Sequence, residues 1–73
     1  MPAGYTIRVT TRRIGSGDSD LYQAAIDDEN LAKLTVRAFA GASLDALVEA
    51  AGSLSRREVT QLGLEIGEVR SAG

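Results

Sequence analysis

The chain has 73 residues, enough for one small domain over residues 1–73 and too few for a second. It contains neither cysteine nor histidine, which excludes disulfide staples and zinc sites of the thiolate or imidazole kind and removes the commonest general base. Ten acidic against eight basic residues leave a net charge of −2, so the whole molecule offers no positive field to draw in nucleic acid; 44% hydrophobic residues place it among ordinary globular chains.

From Tyr5 to Thr11 the residues alternate, with Tyr5, Ile7 and Val9 on one side and Thr6, Arg8 and Thr10 on the other, the pattern of a half-buried strand. The run "LYQAAI", Leu21 to Ile26, would put Tyr22, Ala24 and Ile26 on one face and reads as its partner. Between them, Gly15 to Ser19 supplies the glycines of a tight reversal, and Asp18, Ser19 and Asp20 favour such a turn by bonding its backbone; an antiparallel hairpin is the economical pairing.

The segment "DDENLAKLTVRAFAG" predicts a helix. Asp27 or Asp28 caps it, Glu29 suits the positive end of its dipole, and Gly41 stands where it stops. Projected at about 100° per residue, Glu29, Asn30, Lys33 and Arg37 form a narrow polar arc, and Leu31, Ala32, Leu34, Val36, Ala38 and Phe39 fill the rest. The next segment, "SLDALVEAAG", reads as a helix capped by Ser43 and stopped by Gly52, because as a strand it would put Leu47 on one face with Asp45 and Glu49. The need for a third strand argues the other way.

"LSRREVTQLGL" carries a capping box, Ser55 with Glu58, and a hydrophobic staple, Leu54 with Val59. Gly63 ends this short helix in the left-handed conformation, with Leu64 folding back on its last turn. Residues 64–70, "LEIGEVR", then form a third strand or an extended tail. The fold expected is a compact α+β domain: a short antiparallel sheet, begun by the N-terminal hairpin, packed against two or three helices.

No segment approaches the roughly 18 apolar residues of a membrane span, and "MPAGYTIR" lacks the form of a signal peptide, so a cytoplasmic location is expected. Gly15 and Gly17 invite comparison with phosphate-binding loops, yet a strand follows them and Asp18 and Asp20 would repel phosphate. The D-x-D of Asp18 and Asp20 lacks the further ligands of a calcium loop. The serines have no histidine to activate them, and the one lysine, Lys33, lies on the polar arc of a helix. No cofactor, metal, small-molecule substrate or catalytic residue is therefore expected, and the chain reads as a non-enzymatic protein-interaction or assembly module.

A short sheet leaves an edge that must be protected or used. The outward row Thr6, Arg8, Thr10 and Arg12 suits an acidic partner or a second copy in a homodimer, and Arg13 would join it only at a frayed strand end or a bulge. Arg8, Arg12 and Arg13 are thus the candidate partner-binding residues. Residues 44–63, taken as two helices joined at Gly52-Ser53-Leu54, resemble a helix-turn-helix. That resemblance implies nucleic-acid binding through Arg56 and Arg57, in the first turn of the second helix. A further reading, from size and composition alone, is a small inhibitor that occupies a larger protein's surface.

Overall fold

A computed structural model describes residues 2–13, 16–42 and 46–72, apart from the side chains of residues 12, 13 and 16–18. Four strands and two helices follow in the order β1 (Gly4–Arg13), β2 (Ser16–Ala24), α1 (Glu29–Ala40), β3 (Leu47–Leu54), α2 (Arg56–Gln61) and β4 (Val69–Ser71). All neighbours in the sheet are antiparallel, in the order β3-β1-β2-β4. The α+β class holds, with two helices among the described residues.

The hairpin forms, but its arms are longer than their apolar runs. The pairing continues outward through Thr11↔Asp18 and Arg12↔Gly17 to Arg13↔Ser16, so Ser16 to Ser19 belong to the ladder and not to a reversal. The polar residues are tolerated there because β3 pairs with β1 only as far as Thr10, and β4 reaches β2 only from Tyr22 to Ala24. Beyond those points the hairpin is, among the described residues, a two-stranded ribbon. Of the reversal expected over Gly15 to Ser19, Gly15 lies outside the described residues.

The alternation of β1 works as its sequence implies. Ile7 and Val9 are 0% and 4% exposed, and Ala24 across the ladder is 0% exposed. With Ile26, Ala46, Ala32 and Val36 they form the main core between α1 and one face of the sheet, bordered by Tyr5, Tyr22, Val48, Ala50 and Val69. The ring of Tyr22 meets that of Phe39 edge to face, with centroids 5.9 Å apart.

Helix α1 starts at Asp28, whose carboxylate accepts the N–H of Leu31 at 3.0 Å. It stops at Gly41, with φ 64°, where the N–H groups of Gly41 and Ala42 return to the carbonyls of Ala38 and Arg37. Lys33 reaches Glu29 at 3.3 Å, the i,i+4 pair expected on an exposed arc.

The expected helix after it is overturned: residues 47–54 are the strand β3. Local propensity favours a helix, but β1 has a free edge and an apolar inner row, and the 46–50 stretch completes both. Ala46, Val48 and Ala50 join the core, while Leu47 and Glu49 face away from it. The register shifts once, between Thr6 and Ile7, which pair with Gly52 and Ala50. The cap assigned to Ser43 lies outside the described residues.

Helix α2 follows its sequence signature closely. Ser55 Oγ accepts the N–H of Glu58, and Glu58 Oε1 accepts the N–H of Ser55, both at 3.2 Å. Leu54 and Val59 are buried together in a second cluster with Ala25 and Leu64. Gly63 has φ 70°, and Leu64 folds back so that its N–H donates to the Val59 carbonyl at 3.1 Å. After a turn at residues 65–68, the tail forms β4 over Val69–Ser71, shorter than the 64–70 stretch and placed as a fourth strand on β2.

Candidate interaction surfaces

Arg8 lies on the sheet face opposite α1, in register with Leu21 on β2 and Glu49 on β3. Its guanidinium is 3.6 Å from the Glu49 carboxylate, and both side chains are about half exposed, 47% and 46%. A pair so open to water contributes at most about 1 kcal/mol, yet it offsets the charge that an arginine row would present. The backbones of Arg12 and Arg13 lie on the two-stranded ribbon beyond β3 and β4; their side chains are outside the described set. The structure thus brings Arg8 next to an acid and two exposed leucines, Leu21 and Leu47, at 39% and 55% exposure.

Strand β3 is an edge strand of eight residues. Among the described residues it has no neighbour on its outer side, and it carries no proline or lysine, two devices that commonly blunt such edges. Its exposed stretch, Ala51 to Ser53, is small and uncharged.

Arg56 and Arg57 are exposed in the first turn of α2 as expected. The preceding element is β3, so the helix-turn-helix geometry that would have carried them to a duplex is not formed. No group of three or more acidic side chains with metal-holding geometry occurs among the described residues, nor does any helix there have the length and apolarity to cross a membrane.

Composition alone did not point to the apolar surface. Only Ala32 and Val36 of α1 are buried; Leu31, Leu34 and Phe39 are 53%, 64% and 57% exposed. The signal was the narrow polar arc, since a helix with one buried face and few polar positions must show apolar groups to water. Leu31 also lines an open groove of about 810 Å³ between the start of α1 and α2. Pro2, Ala3, Val59 and Leu64 form other parts of its wall, with Asp27 and Arg56 as its charged groups and Ile66 at its margin. Compared with protein-family models, with curated proteins and with solved structures, the chain matches none.

Proposed function

We propose that this chain is a non-enzymatic protein-interaction module that receives an extended segment of a partner along β3, with the open sheet face beside it as the second contact. The observation carrying this reading is an eight-residue edge strand with no outer neighbour among the described residues, small and uncharged from Ala51 to Ser53, in a chain this small. Strand addition satisfies the exposed N–H and C=O groups of that edge by the chemistry that already joins β3 to β1. Leu47 offers apolar contact at its start, and the Arg8–Glu49 pair offers one charge of each sign, fitting a mixed peptide better than a purely acidic one. The partner contact expected of the Arg8 and Arg12 row, with Arg13 at its frayed end, accordingly narrows to Arg8 at the face, with the backbones of Arg12 and Arg13 on the ribbon.

The test uses site-specific cross-linking in the native host. A photo-reactive residue in place of Ala51 should capture one stoichiometric partner, and the same group in place of Arg57 should not. With the photo-reactive group moved to Ser53, Leu47→Lys plus Ala51→Lys, all three at exposed positions, should abolish capture while leaving the circular dichroism spectrum unchanged. Equal capture from positions 51 and 57, or capture untouched by the two lysines, defeats the proposal.

A further inference from the structure

The groove between α1 and α2 is independent of β3 and has a shape of its own. At its margin the turn of residues 65–68 is tightly held: the Glu68 N–H donates to the Glu65 carbonyl at 2.9 Å, and the Glu65 N–H donates to Glu68 Oε1 at 3.0 Å. Gly67, with φ 85°, also donates its N–H to the Ala25 carbonyl at 2.9 Å, tying the turn to the end of β2. On this fixed turn sits Ile66, 99% exposed. A lone exposed isoleucine is unremarkable, but one held rigid beside an apolar recess has little entropy to lose when it is buried.

We infer that two copies of this chain pair about a two-fold axis through this surface, the Ile66 turn of each seated in the groove of the other. A two-fold contact uses one patch twice, so the patch must contain both a projection and a matching recess. Here Ile66 is the projection, and Leu31, Val59, Leu64, Pro2 and Ala3 wall the recess. The same patch carries both signs of charge. Asp27, in the connection from β2 to α1, and Arg56, on α2, line it, and among the described residues neither has an ion pair of its own. In a two-fold pair Asp27 of one copy meets Arg56 of the other, twice. The chain is also more open than its mass requires. The chain exposes 4983 Å², whereas a compact monomer of its 7.7 kDa mass exposes about 4300 Å². A standard interface covers about 800 Å² per partner, roughly a sixth of this surface. A second copy supplies shape and charge together, which makes it the occupant the patch fits best.

Sedimentation equilibrium of the full chain over a wide concentration series tests the pairing. The native chain should dimerise. Ile66→Lys should raise the dimer dissociation constant roughly a hundredfold or more, because each substitution is felt twice, with an unchanged thermal melt at dilutions where both chains are monomeric. Arg56→Glu and Asp27→Arg should each weaken self-association by placing like charges at both contacts, and a mixture of the two should form the heterodimer, in which both contacts again join opposite charges. A native chain that stays monomeric at its highest attainable concentration overturns the proposal. So does a dimer that survives Ile66→Lys, and so does failure of the two charge variants to pair. A dimer lost only in the Leu47→Lys plus Ala51→Lys variant would place the contact on β3 and overturn it equally.

Discussion

Replacing Gly4 by alanine puts a methyl group where the strands leave no room. Gly4 is buried at the start of β1, and a Cβ built there overlaps the carbonyl oxygen of Ala24 and lies 3.3 Å from Ala25 Cα. Both obstacles are backbone, so relief requires β1 to move away from the end of β2. That movement loads the bonds anchored at Ala25, whose N–H donates to the Glu68 carbonyl and whose carbonyl accepts from Gly67. Overpacking of this kind costs about 1–3 kcal/mol. A domain of this length has about 4–11 kcal/mol in total, so the loss corresponds to a fall in Tm of roughly 5–20 °C. Gly52 on β3 is the control, since a Cβ there meets nothing within 4 Å and its φ is not in the left-handed region. Gly52→Ala should gain about 0.4–1 kcal/mol by restricting the unfolded chain. Thermal and urea melts of the two variants at low protein concentration give the comparison, with hydrogen exchange at Ala25 and Gly67 as the local readout. If Gly4→Ala melts at or above Gly52→Ala, the account of close strand approach is wrong.

Ser55→Ala should cost about 1 kcal/mol by opening the capping box of α2, lowering Tm by about 4–8 °C, as a melt against Ser55→Asp would show. Leu34→Glu, at a position 64% exposed, should leave stability within about 0.5 kcal/mol while raising solubility, measured by urea melts and precipitation assays. Arg8→Glu plus Arg12→Glu should keep the fold by circular dichroism, with a loss below about 1 kcal/mol from placing a second carboxylate opposite Glu49, while weakening any complex formed on the sheet face.

Local signals proved legible wherever the chemistry is local. The caps at Asp28 and Ser55, the stop signals at Gly41 and Gly63, and the staple of Leu54 on Val59 all involve groups within a few residues of each other. The period-two pattern of Tyr5, Ile7 and Val9 also located the core face of β1. Residues 47–54 could not be read this way because their strand exists only beside β1, more than thirty residues earlier, and Leu47 faces water in it. The polar end of the hairpin misled for a related reason. Ser16 to Ser19 have the composition of a turn, yet their backbone groups are already matched in the ladder. Of the candidate sites, the exposure of Arg8, Arg56 and Arg57 was foreseeable. The acid beside Arg8 and the groove under Ile66 depend on residues brought together only by the sheet and its connections.

The central position of β1 orders the assembly of the molecule in time. Its contact with β2 closes a short loop, whereas its contact with β3 encloses all of α1 and repays the entropy of closure only late. The hairpin therefore forms first with both flanks bare, and β3 and β4 arrive from the two sides as the chain compacts. During that interval the unpaired outer edge of β1 is open to other nascent chains, so refolding yield should fall with protein concentration, and β3 acts in effect as the chain's own guard against misassembly.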